Sequence, residues 1–182
     1  MNRRKSLGLI AGISPLLLFP NNHILDKNFD SSEWLKNFKF RWSKSRIYCF
    51  EIFNSMPLSN YDYKPHEDSM SFMKLFTHIG SSLIGYATVL DGSNLRNQTE
   101  PTRDIEVSGY LNQSFERFNK SLEIINLNDL YQVKHAKSKE EPWKEFSIFD
   151  IITLAYNHTI HHIGQATVYL RLNNIIPSQY RF

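Results

Sequence analysis

Seven histidines punctuate this chain of 182 residues: His23, His66, His78, His135, His158, His161 and His162. Three of them fall together in Asn157-His158-Thr159-Ile160-His161-His162. His158 and His162 stand at positions i and i+4. On a helix that spacing puts two side chains about 40° apart around the axis and roughly 6 Å apart along it. Two imidazoles so placed can converge on one metal ion at about 2.0–2.1 Å from each ring nitrogen. The zinc-protease helix motif uses the same spacing with a Glu directly after the first His. Here that position is Thr159, so that particular hydrolytic chemistry is not encoded.

The direction of the pair follows from its neighbours. Ile148, Ile151, Ile152, Ala155, His158, His162 and Ala166 share one stripe of a 3.6-residue period, so both imidazoles face the interior of a helical assembly. His161 aligns instead with Leu154 and Val168, toward a neighbouring helix or the rim, which makes His162 the better ligand of the adjacent two. His78 lies on the line of Leu75, Ser82 and Tyr86, with Gly80, Ser81, Ser82 and Gly85 around it; small residues there would leave space beside an inward ring. A triad of His78, His158 and His162 would hold a divalent metal facially, with water or substrate in the open positions. Burial favours the neutral imidazole that a metal needs. The competing reading is a set of core histidines satisfied by hydrogen bonds. His23, His66 and His135 sit in polar, loop-like sequence and read as surface residues.

Four helical patterns must position these residues. The first runs from about Ser32 to Ser55, with Leu35, Phe38, Trp42, Cys49, Ile52 and Met56 on one stripe, a cap among Asp30, Ser31 and Ser32, and Met56-Pro57 as its stop. The second, about Ser71 to Leu90, carries Phe72, Leu75, Phe76, Ile79, Leu83 and Tyr86 and ends at Asp91-Gly92-Ser93-Asn94. The third, about Asp104 to Ile125, repeats Val107, Leu111, Phe115, Phe118, Leu122 and Ile125. Asn126 to Phe146 is less regular: Leu130 to Val133 reads as a short strand and Pro142-Trp143 as a turn. The fourth runs from about Ser147 to Asn173, opened by a capping box in which Asp150 replaces the usual Glu. Helix dominates, and an all-α four-helix bundle is the economical architecture.

Composition excludes several classes. Apolar residues make up 41% and charged residues 21%, as expected of a globular core rather than a disordered chain. The formal charge is +3, and Arg3, Arg4 and Lys5 supply all of it: the 21 basic residues less these three equal the 18 acidic ones. The body therefore has no basic block to displace counterions from a phosphate backbone, and nucleic acid is not an expected partner. The single cysteine, Cys49, excludes an internal disulfide and a Cys-based zinc site. Its inward position makes it a buried thiol rather than a nucleophile. Glu51 points away from the inward line and is not a candidate base. Gln165 and Tyr169 continue the histidine face, either lining a pocket or packing. Phe40, Tyr48 and Phe53 look exposed on the first helix and make a homodimer an option.

Residues 1–22 form a leader unlike the rest: a basic cluster, then the apolar run Leu7 to Phe19, within the size of a secretory signal and too short for a membrane span. Arg3-Arg4 with Leu7 resembles a twin-arginine signal, although Ser6 stands where Phe is usual; no Ala-x-Ala site follows, and no cysteine for a lipid anchor. The expectation is an exported, periplasmic protein if the leader is a signal, a cytoplasmic one otherwise, with residues 30–182 as its domain. The alternative for the leader is an apolar segment packed on the bundle.

The string from Asn157 to Arg171, with His158-x-x-x-His162 followed by Gly164-Gln165 and Tyr169-Leu170-Arg171, and the tail Ile176-Pro177-Ser178-Gln179-Tyr180, resembles the final helix of the DinB/YfiT-like superfamily. Met56-Pro57 with Tyr61 to Pro65, and Ser71-Phe72 through Leu75-Phe76-Thr77-His78-Ile79, are similar to that family's first connection and second helix. The likeness spans about Trp34 to Tyr180. It implies up-down-down-up topology and a three-histidine metal site at His78, His158 and His162. It implies no DNA binding. One departure is Ile163, where many relatives carry Arg. Relatives include metal-dependent hydrolases and transferases that use small thiol cofactors, so the resemblance implies a divalent ion and a small-molecule substrate; three imidazoles suit zinc, nickel, iron and copper alike, and zinc or nickel is the expected ion. An exported protein would lack the cytoplasmic thiol pool, which favours hydrolysis. The alternatives are a non-catalytic metal- or small-ligand-binding module, and a purely structural bundle.

Overall fold

The computed structural model describes residues 30–93, 100–135 and 145–180. The leader, His23 and the Pro142-Trp143 turn lie outside the described residues, as does the side chain of His135. Four helices make up most of the fold: α1 Ser31–Ser55, α2 Phe72–Asp91, α3 Asp104–Glu123 and α4 Ile148–Leu172.

Local chemistry sets their ends. Asp30 Oδ1 accepts from the backbone N–H groups of Ser32 and Glu33 at 2.9 and 3.1 Å, capping α1. Ser71 Oγ accepts from Lys74 N–H at 3.2 Å at the start of α2, and Gly92 at φ +69° closes that helix in a left-handed conformation that costs glycine little. Ser147 and Asp150 make the reciprocal capping box of α4.

Cross-helix contacts define the topology. Trp34 meets Phe149, and Phe38 meets Tyr156, so α1 and α4 run parallel. Trp42 bonds Asn119 while Arg46 bonds Asn112, so α1 and α3 are antiparallel. Phe72 meets Tyr169 and Tyr86 meets His158, so α2 opposes α4. Gly80 lies against Tyr110 and Asp91 pairs with Arg117, so α2 and α3 run side by side in one direction. The order is up-down-down-up. Two parallel neighbours need a connection that returns the length of a helix, and the residues between Asp91 and Asp104 provide it. Glu100, near its end, is back beside Lys74 in the first turn of α2.

The inward stripes form the core. Phe38, Trp42, Ile52, Phe76, Leu83, Phe115, Phe118 and Ile152 are all buried. Three expectations need correction. The strand lies at Val133–His135, β1, rather than Leu130–Val133. It pairs antiparallel with β2, Glu145–Ser147, which apolar periodicity did not single out. Leu130 is instead a fully buried anchor whose carbonyl accepts from Phe149 N–H at 2.8 Å, tying the hairpin to the start of α4. Tyr48 and Phe53 are buried, not exposed: Tyr48 packs edge-on to Tyr180, and Phe53 packs among Tyr61, Phe72 and Phe76. Only Phe40 of those three aromatics is exposed, at 64%, which removes most of the apolar face that a dimer was expected to use. Among the described residues no helix is long and apolar enough to cross a membrane.

Candidate metal centre

The three histidines chosen from helical facing meet where α2 crosses α4. His158 occupies the middle, with its Nε2 3.2 Å from His78 Nε2 and 3.1 Å from His162 Nε2. The rings are steeply inclined to one another, at 58° and 75° to His158 and 89° between His78 and His162, so their nitrogen lone pairs converge instead of the rings stacking.

Hydrogen bonding serves this arrangement unevenly. A neutral imidazole carries one N–H and one acceptor nitrogen. A proton on the central Nε2 can point at only one of its two neighbours. A cation between the rings would engage all three lone pairs. Two nitrogens each about 2.05 Å from a shared ion lie roughly 2.9 Å apart at a right angle and roughly 3.3 Å apart at a tetrahedral one. The observed 3.1 and 3.2 Å separations fall between those limits. The donor set therefore fits a divalent transition-metal ion, and three imidazoles suit zinc, nickel, iron and copper alike.

The electrostatics fit as well. Burial lowers the pKa of all three imidazoles. For His158, burial and the facing His162 and His78 push it down to about 4. His78 is lowered by burial and by nearby Lys74, with Glu100 opposing. His162 is lowered by burial, against its hydrogen bond to the Gln165 amide oxygen, which acts the other way. All three are neutral at pH 7, the state in which imidazole binds metal.

The pair does not lie wholly inside, as the stripe implied. His162 is buried, but His158 and His78 are half-buried, so the cluster sits at the rim of the core with one side accessible. His161 is exposed and its ring only flanks His162, centroids 5.0 Å apart. His66 is exposed too.

The small residues around His78 divide in purpose. Gly80 is not spacing for the histidine: a Cβ there would come within 2.7 Å of Tyr110 Cε1 and 3.0 Å of Ser114 Oγ, so its bareness serves the α2–α3 contact. Ser81 Oγ donates to the His78 carbonyl at 3.2 Å. Tyr169 packs: it is buried and its hydroxyl donates to the Met70 carbonyl at 2.8 Å. Ile163 is fully buried in the core, a place where an Arg side chain would have to leave for solvent. Cys49 is fully buried, and burial alone raises its thiol pKa far above the reactive range. Glu51 lines a groove of about 710 Å³ between α1 and α3, away from the α2–α4 pair that carries the histidines.

Two further residues neighbour the cluster, Glu100, which the sequence did not mark, and Gln165, which it placed on the histidine face. Glu100 arrives on the connection between α2 and α3. It is bonded to Lys74 Nζ at 2.5 Å and also bonded by Ser81, and the Lys74 hydrogen bond holds its carboxyl below the usual range. Nothing in its local spacing marks it. Gln165 is the second: its Oε1 lies 2.7 Å from His162 Nδ1, an i, i+3 contact on the exposed side of α4.

Fold and site together define a four-helix bundle of up-down-down-up connectivity with three histidines gathered between its second and fourth helices. The DinB family model matches residues 30–173, and the chain belongs to that family. Among solved structures, a DinB-like protein of Bacillus subtilis superposes with a TM-score of 0.65 at 23% identity, covering 79% of this chain and 96% of its own. A DinB-like protein of Bacillus cereus gives a TM-score of 0.67 at 13% identity, covering 80% and 97%. At those identities they speak to the fold. Among curated proteins nothing matches the sequence.

Proposed function

We propose that the protein is a metal-dependent enzyme of the DinB family that binds a divalent ion through His78, His158 and His162 and acts on a small molecule. The observation that carries this is the gathering of three histidine ring nitrogens within 4.8 Å of one another, with His158 Nε2 at 3.2 and 3.1 Å from the Nε2 atoms of His78 and His162, separations that suit a shared ion. An ion bound there would supply a Lewis acid that acidifies a bound water or thiol and leaves positions for substrate. The chain's own part is to present three neutral donors on two packed helices. Burial keeps the rings unprotonated, and the α2–α4 contact holds His78 against the pair on α4.

Hydrolysis and thiol-dependent transfer share this site. If the leader directs export, hydrolysis is the favoured branch, because the small-thiol pool is cytoplasmic. A non-catalytic metal-binding module is the second reading. It is favoured by the state of Glu100: the acidic group whose charge acts on His78 is already engaged by Lys74 and Ser81.

The test uses adjacent residues. Protein purified in zinc or nickel should retain about one ion per chain. The His162→Ala variant should lose it, and His161→Ala should keep it. Retention by both variants would sink the site. Metal-loaded protein is then tested on ester, amide and thiol-conjugation substrates: turnover that disappears in His162→Ala supports the enzyme, and bound metal without turnover across the panel favours the binding module.

A further inference from the structure

We infer that Gln165 is a positioning residue that fixes the tautomer of His162 and so directs its Nε2 lone pair at the centre of the cluster; this rests on the metal reading above. A histidine can bind metal through Nε2 only if the remaining proton sits on Nδ1. Free imidazole is divided between two neutral forms, so a partner must choose. Here the atom facing His162 Nδ1, at 2.7 Å, is the amide oxygen of Gln165. An amide oxygen can only accept. The proton is therefore on Nδ1, and Nε2 is left as an acceptor 3.1 Å from His158 Nε2.

The geometry of α4 makes this contact local. Residues three apart lie on neighbouring turns of one face, so Gln165 reaches back to the ring without help from another element. Among the described residues, His162 is the ring of the three whose second nitrogen has such an acceptor. The Gln165 side chain is exposed on its outer side, so its removal leaves no hole in the core. The bond also fixes the ring plane, which His162 needs because its ring stands at 75° to His158.

The experiment compares wild type with Gln165→Leu and Gln165→Glu. Leucine removes the acceptor. Glutamate keeps an acceptor and, when ionised, can offer no donor. Long-range proton–nitrogen NMR of the metal-free protein reads the His162 tautomer directly. Zinc affinity by competition titration reads the consequence, and circular dichroism checks the fold. Wild type and Gln165→Glu should show His162 with its proton on Nδ1. Gln165→Leu should show a mixture and bind zinc roughly 10- to 100-fold more weakly, the usual cost of losing an outer partner of a metal histidine. An unchanged tautomer and zinc affinity within twofold in a folded Gln165→Leu protein would overturn this inference and leave the metal site standing. Wild-type protein that takes up neither zinc nor nickel would overturn the metal reading and this inference with it.

Discussion

At the scale of single residues, the protein spends core-adjacent positions on three uncharged imidazoles, and that choice has a pH signature. In the unfolded chain each ring titrates near 6.5. In the folded protein all three are lowered by burial, His158 to about 4. Between those values the unfolded state binds more protons, so the stability of the metal-free protein rises with pH across the window. Conversely, the contribution is present above about pH 6.5 and is lost as pH falls through the folded value near 4. Thermal melts in a chelating buffer should therefore show the melting temperature falling from pH 7 to pH 5. The His158→Gln variant, which keeps a polar side chain and cannot titrate, should fall less over the same range. Parallel curves for the two proteins would show that His158 is not held neutral by its surroundings.

At the scale of elements, the parallel α2–α3 pair packs closely at Gly80. A Cβ at Gly80 meets a tyrosine ring and a buried serine whose hydroxyl is itself bonded to the Tyr110 carbonyl at 2.8 Å. Overpacking of this kind costs about 1–3 kcal/mol, while replacing helical Gly by Ala gains about 1 kcal/mol. Neither neighbour is a loose chain end, so Gly80→Ala should lower stability. Gly109 on α3 is exposed with open space at its Cβ position, and Gly109→Ala should raise stability by about 0.5–1 kcal/mol. Denaturant melts of the two variants should move in opposite directions; a Gly80→Ala protein as stable as wild type would mean that α2 and α3 can separate at little cost. These glycines also mark how far the sequence could be read. Helix extents were legible to within one or two residues, because apolar stripes, the Asp30 cap, the Ser147–Asp150 box and Gly92 are local signals. The triad was legible because i, i+4 spacing and stripe membership are local too. What escaped depends on partners distant in sequence. Gly80 read as room for His78 until Tyr110 was placed beside it. Tyr48 and Phe53 read as exposed until Tyr180 and Phe72 covered them. Glu100 had no meaning until the connection brought it back to Lys74.

At the scale of the whole molecule, the histidines join the α2–α3 half to α4, since His78 comes from one side and His158 with His162 from the other. An ion bound by all three would have to bind the folded chain far better than the unfolded one, in which positions 78 and 158 are separated by 80 residues. Binding of that kind stabilises by mass action, about 2.7 kcal/mol when the free ion is at 100 times its dissociation constant. For a domain of this size each kcal/mol moves the melting temperature by about 2–4 °C, so zinc or nickel at that excess should raise it by about 5–10 °C over chelated protein. The rise should shrink to nothing in His78→Ala, which leaves ligands on α4 alone, and in His162→Ala, which leaves one ligand on each side and two in all. It should persist in His161→Ala, whose ring lies outside the cluster. A rise that survives His78→Ala but not His162→Ala would locate the ion on α4 alone, and would mean that metal does not bind the two halves of the bundle together.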